Sequence, residues 1–398
     1  MTLTIIIIFC SLLLFAYLFD ITSSKTKIPS VILLLLLGWI VKQLTLLFEF
    51  DIPDLTSVLP VFGTIGLILI VLEGSLELEL DRSKTGLIKK SLIGAVLTML
   101  TLSFVLAALF HFVGHFSFRD SLVNAIPFCV ISSAIAIPSV RSLRPAQREF
   151  VIYESSLSDI AGVLFFNFVA LNATYDFSLL GNFGLQLLGI ALVSVVAILG
   201  LSFLLHRIEH HIKYIPIILL VILIYSVSEY YHLPALIFIL LFGLFLGNLK
   251  KLRHFKLVER FNPEELEREV SKFRELTIEA AFLVRAIFFL LFGYLIQTSE
   301  ILNTDTLIWA IVIVAAIYAI RAFQLKMSGI SFKPLLYVAP RGLITIVLFL
   351  MILPGQNILP VNKSLIVQVI LLTTIIMMFG LMVKKKGDII NQQIIDKK

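Results

Sequence analysis

The chain has 398 residues, of which 59% are hydrophobic and 15% charged, with a formal net charge of +6. A mean hydropathy of +1.03 excludes an ordinary water-soluble domain, in which about a quarter of the residues are charged. Two cysteines exclude a disulfide framework or a thiolate metal centre, and the positive excess follows membrane topology instead of nucleic-acid binding.

A helix needs about 20 apolar residues to cross a bilayer. Stretches of that kind run near 1–21, 29–47, 56–79, 88–114, 120–140, 149–171, 181–206, 213–229, 233–249, 276–298, 306–325, 334–354 and 364–383, which makes thirteen expected spans. The first has no basic leader and no small-residue cleavage site and ends at Asp20, so it reads as a retained helix and not a signal peptide. Cys10 and Cys129 fall inside spans and read as buried thiols.

Lys and Arg collect in alternate loops, which fixes an expected orientation. Lys25 and Lys27, Arg82 to Lys90, Arg141 to Arg148, Arg207 and Lys213, the block 250–274, and Lys326 and Lys333 all follow odd-numbered spans. The other loops hold only Arg119 and Lys363 as basic residues. The expected product is a multi-pass protein of the cell (inner) membrane with an external N-terminus and a cytoplasmic C-terminus. The stretch "KKLRHFKLVERFNPEELEREVSKFREL" reads as a solvated connector with a short amphipathic helix lying on the cytoplasmic membrane surface. The His210 and His211 pair reads as a solvated loop at the same boundary. After the last span about fifteen residues remain, too few for a nucleotide-binding or regulatory domain.

Thirteen alternating spans divide into six, one linker and six, with the halves entering the membrane from opposite sides. That arrangement predicts an inverted-repeat transporter with its site at the bilayer midplane, in helices broken at matching places. The fifth span of the first half reads "SLVNAIPFCVISSAIAIPSV" and the fifth of the second "PLLYVAPRGLITIVLFL". Pro127, Pro138 and Pro340 remove helix hydrogen bonds, Gly342 loosens the backbone, and Ser132 and Ser133 offer hydroxyls to freed backbone groups. Both spans are therefore expected to be interrupted.

Span 6 holds "ESSLSD", which places Asp159 near mid-membrane, where a carboxylate needs a partner or a use. On a helix turning about 100° per residue, Ser155 shares a face with Asp159, Ser158 flanks it, and Glu154 points about 140° away. Glu154 is expected to pair with a cation, with Arg341 the candidate. Asp159 is left to bind a proton or a metal cation. Arg321 is expected either to meet carbonyl ends of the broken helices or to snorkel, Lys42 to snorkel outward, and Arg285 to make an ion pair or a contact within a dimer. Without Zn-type His/Cys spacing, a nucleophile elbow or a phosphate-binding glycine loop, neither enzymatic activity nor a resident cofactor is expected.

Taken together, "LLLLLGWIV", "GLILIVLEGSLELELD", the serine-rich span 5, "ESSLSD", "IRAFQL" and "APRGLITIVLFL" resemble, in order along the whole chain, the monovalent cation:proton antiporters. The branch is that of the bacterial and archaeal sodium/proton exchangers related to the eukaryotic ones. The resemblance implies an all-α elevator-type homodimer. Its dimerisation part would be spans 1–3 and 8–10 (about 1–79 and 213–298), its ion-translocating core spans 4–6 and 11–13 (about 88–171 and 306–383), and its linker 181–206. It implies Asp159 as the ion-binding carboxylate, Glu154 and Arg341 as a structural ion pair, Arg321 as the basic residue of span 11 and Glu73 as an acidic residue beside the cavity.

Two departures from the family pattern stand out. Ser132, Ser133 and Ala134 replace the usual Thr-Asp-Pro, and Ser158 replaces the Asn of an Asn-Asp pair. Hydroxyls and one carboxylate are hard oxygen ligands suited to Na+ or Li+. The expected activity is exchange of Na+ or Li+ for one proton at Asp159, with help from Ser155, Ser158, Ser132 and Ser133, in a role in pH homeostasis. The alternatives are K+/H+ antiport and cation-coupled symport of an organic solute.

Overall fold

Long runs of Leu, Ile and Phe leave no water for the backbone in a bilayer, so each run satisfies its own amides within a helix. The computed structural model describes residues 2–26, 28–49, 54–78, 84–171, 177–207, 213–231, 233–252, 263–330 and 332–395, and among them there is no strand. The first four helices are α1 (Thr2–Thr26), α2 (Ser30–Leu47), α3 (Leu59–Glu77) and α4 (Thr85–Gly114). The short α5 (Phe118–Ala125) and α6 (Ser133–Ser139) come next, then α7 (Pro145–Leu171), α8 (Phe177–Arg207), α9 (Tyr214–Tyr230) and α10 (Leu236–Gly247). The last four are α11 (Pro263–Leu295), α12 (Thr304–Met327), α13 (Leu343–Leu350) and α14 (Lys363–Ile395).

Nine helical segments among the described residues are long and apolar enough to cross a membrane, and α9 and α10 are shorter apolar helices. The thirteen stretches expected from the sequence all fall on helices or on pairs of short helical segments.

Two expectations change. The amphipathic stretch from Pro263 is not a separate surface helix but the first turns of α11, which runs unbroken to Leu295. Its Glu, Lys, Arg and Leu residues are good helix formers, and no Gly or Pro stops them before the apolar run begins. Likewise α14 continues through the "KKKGDII" segment as far as Ile395. The His210 and His211 pair lies outside the described residues.

The helices associate in two sets. In one, α11 packs along α2 and α3, and α10 lies against α3 and α8. In the other, α4 packs along α7 and α5, and α12 lies against α14 and α4. The α2/α11 crossing is a backbone contact: a Cβ on Gly38 would stand 2.2 Å from the Leu290 carbonyl oxygen, and one on Gly293 would stand 2.4 Å from that of Leu35. Only glycine at both positions permits this approach.

The second set carries the two expected interruptions. After α5 the chain makes a single 3-10 turn over Ile126–Phe128, leaves the helix through a bend to an extended Ser132, and resumes as α6 at Ser133. Matching it, a 3-10 turn over Leu335–Tyr337 is followed by non-helical residues up to Gly342, then α13. The two breaks touch directly, because the Ser132 amide donates to the Pro340 carbonyl at 3.0 Å.

Candidate functional site

Asp159 projects from α7 toward the break in span 5 and is 3% exposed. The freed backbone of that break supplies what an intact helix would not, since the Ser133 amide donates to Asp159 Oδ2 at 3.3 Å. The Ser133 hydroxyl donates to the same oxygen. Asp159 Oδ1 is buried and has no hydrogen-bond partner among the described residues. The two oxygens of the carboxylate thus differ: the protein bonds one and leaves the other without a partner among the described residues.

The remaining serines differ in what they touch. Ser158, 1% exposed, accepts the Ile131 amide at 3.0 Å and so holds the extended segment beside Asp159. Ser155 donates to the Val151 carbonyl of its own helix at 2.8 Å, leaving lone pairs but no bond to Asp159. Ser132 is buried where the breaks cross; a Cβ on Gly342 would stand 2.8 Å from its hydroxyl oxygen.

The expected pairing of Glu154 with Arg341 is not what forms. Glu154 Oε1 accepts Arg321 Nη1 at 2.5 Å and Gln324 Nε2 at 2.8 Å, and all three side chains are buried. Arg321 Nη1 also donates to Gln324 Oε1 at 2.9 Å, and its Nε donates to the Leu335 carbonyl at 3.3 Å. Arg321 therefore does not snorkel.

Arg341 is 1% exposed and is taken up by carbonyls that the breaks set free: its Nε donates to Phe128 O at 2.5 Å and its Nη1 to Ala339 O at 3.1 Å. Its amide donates to Thr373 Oγ1 at 3.1 Å. A guanidinium with donors in a fixed fork can serve two peptide ends at once, which explains why the residue in the break serves the break. Sequence reasoning missed Gln324 and Thr373. The signal for Gln324 was its place three residues after Arg321, which stacks two polar groups on one face of an otherwise apolar helix.

A cavity of 580 Å³ reaches this region, lined by Ser133 and Ala134 of α6, Glu73 and Glu77 of α3, and Arg285 of α11. Lys84, Arg141, Arg148 and Arg274 also line it, so it opens on the face where the basic loops gather. Asp159 lies behind Ser133, which belongs to the lining and bonds the carboxylate. Lys42 does not snorkel freely: its ammonium donates to the Ile296 carbonyl at 3.1 Å. Beside it Lys363 bonds the Leu295 carbonyl at 2.5 Å and Glu300 at 3.3 Å.

A family model described as "Sodium/hydrogen exchanger, transmembrane" matches residues 10–385. No curated protein matches the chain significantly. Among solved structures, the sodium proton antiporter MjNhaP1 from Methanocaldococcus jannaschii at pH 8 is similar, with 20% identity and a TM-score of 0.68 over 96% of this chain and 99% of that one. An electron-microscopy structure of the same antiporter gives 20% identity and a TM-score of 0.65 over 97% of this chain and 96% of that one.

Proposed function

Because the chain belongs to the sodium/hydrogen exchanger family, we propose that it is a membrane antiporter exchanging Na+ or Li+ for one proton at Asp159. The observation that carries this reading is the divided carboxylate, with Oδ2 bonded to Ser133 and Oδ1 buried without a partner. A proton on that group, or a partly dehydrated monovalent cation against it, removes the charge that burial penalises. Either ligand leaves the site neutral, and the empty carboxylate is the form that cannot cross.

Ser133 is the residue through which a cation reaches Asp159 from the cavity. Its hydroxyl turns from donating to Asp159 to presenting a lone pair to the ion, and Ser158 and Ser132 keep the extended backbone in place. With one carboxylate and no second acid at position 133, the exchange is one for one and electroneutral. Arg341 and the Glu154–Arg321–Gln324 cluster hold the broken helices around the site. In this reading α4 to α7 and α12 to α14 form the moving core, α1 to α3 and α9 to α11 the dimerising scaffold, and α8 the linker. The basic face is then cytoplasmic.

The test is proton flux in everted membrane vesicles carrying a pH-gradient dye, pulsed with Na+, Li+ or K+, for wild type and Asp159→Asn. Collapse of the gradient with Na+ or Li+ that vanishes in the variant supports the reading. Collapse with K+ alone moves the assignment to K+/H+ antiport, and no collapse with any of the three removes monovalent exchange.

A further inference from the structure

Glu73 and Arg285 are charged residues of the cavity that the exchange chemistry above does not use. Glu73 on α3 and Arg285 on α11 line it together with Ser133, on helices that pack side by side. Arg285 is buried, at 8% exposed, and no salt bridge joins it to Glu73 among the described residues. Of the other cations lining the cavity, Arg148 and Arg274 are exposed and Lys84 bonds Glu149 at 3.0 Å. Arg141 has its own carboxylate, Asp20, at 3.8 Å, and its side chain is 53% exposed, so water and Asp20 screen it. Arg285 is left as the buried counter-charge to Glu73.

A cation in the cavity meets this pair as well as Ser133, since all three line it. Glu73 alone would concentrate cations there, and Arg285 cancels part of that attraction in a region that water screens weakly. We infer that Arg285 sets the apparent affinity for the transported cation by offsetting Glu73, holding half-saturation above what the carboxylate alone would give. The inference rests on the exchange reading and adds to it a specificity-determining residue outside the Asp159 site. One unit charge at about 10 Å in a medium of intermediate polarity changes local cation occupancy roughly three- to tenfold.

The experiment measures Na+ half-saturation and maximal proton flux in everted vesicles for wild type, Arg285→Gln, Arg285→Lys, Glu73→Gln and the double variant E73Q/R285Q, at low and high choline chloride. Arg285→Gln is expected to lower half-saturation about three- to tenfold at unchanged maximal rate, a gain that shrinks as choline chloride rises. Arg285→Lys keeps the wild-type value, Glu73→Gln raises half-saturation by a similar factor, and the double variant returns to within about twofold of wild type. A fall in maximal rate with half-saturation unmoved in Arg285→Gln overturns the inference. If that single variant does not reach the membrane, a double variant that keeps the raised half-saturation of Glu73→Gln overturns it, as does failure of the double variant to insert. A wild type without cation-dependent flux sinks the exchange reading itself, a different result from any of these.

Discussion

Ser133 donates both its amide and its hydroxyl to one oxygen of Asp159, while the other oxygen of that carboxylate has no partner among the described residues. Replacing the hydroxyl separates the two donors. Ser133→Ala keeps the amide bond but removes the hydroxyl that turns to the ion, an interaction with a charged partner worth about 1.5–3 kcal/mol. Half-saturation for Na+ is expected to rise at least tenfold with the protein still inserted, read from flux and from the amount of protein in the membrane.

Ser133→Asp should change stoichiometry instead. A second carboxylate beside Asp159 adds a second exchangeable proton, so transport becomes sensitive to a membrane potential imposed with K+ and valinomycin. Wild type should not respond. A wild type that does respond sinks the one-for-one assignment.

Proton and cation compete for one group, and this fixes the sign of the pH dependence. As pH falls below the point at which Asp159 releases its proton, fewer sites accept Na+. Half-saturation then rises about tenfold per pH unit, while the rate at saturating Na+ changes less. Flux titrated against Na+ at several pH values checks this, and a half-saturation independent of acid pH speaks against competition.

The buried cluster predicts a selective double-mutant coupling. Removing one member of a buried ion pair costs about 3–5 kcal/mol because the other charge is left stranded. Glu154→Ala and Arg321→Ala should each lower the melting temperature of detergent-solubilised protein, and combined they should lose far less than the sum. Glu154→Ala with Arg341→Ala should come close to additive, since Arg341 serves Phe128 and Ala339.

Gly342→Ala puts a methyl 2.6 Å from Ile135 Cδ1 and 2.8 Å from Ser132 Oγ. Overpacking of this kind costs about 1–3 kcal/mol. Reduced maximal flux in protein that still reaches the membrane is expected, because the crossing of the two breaks is what the methyl wedges apart.

Much of this arrangement was legible before any coordinates. Pro127, Pro138, Pro340 and Gly342 act on the backbone locally, so the interruptions could be read from their positions, and Asp159 stood out as an acid in an apolar run. The partner of Glu154 could not be read in the same way. Whether α12 or the break in span 12 turns toward α7 depends on how the helices rotate against each other, which no local pattern encodes. The Ser133 amide was invisible for a related reason, since every residue has one and only the fold decides which are aimed at a ligand. The start of α11 was misplaced because a shift from charged to apolar residues resembles a boundary while helix propensity continues through it.

The contact between Gly38 and Gly293 has a mechanical meaning. Where two main chains touch with no side chains between them, nothing can repack, so neither helix can slide or swivel without atoms colliding. The α2/α11 crossing therefore behaves as a weld, and any shape change that carries an ion across must take place at surfaces faced with side chains. The wall of the 580 Å³ cavity between α3 and α6 is such a surface.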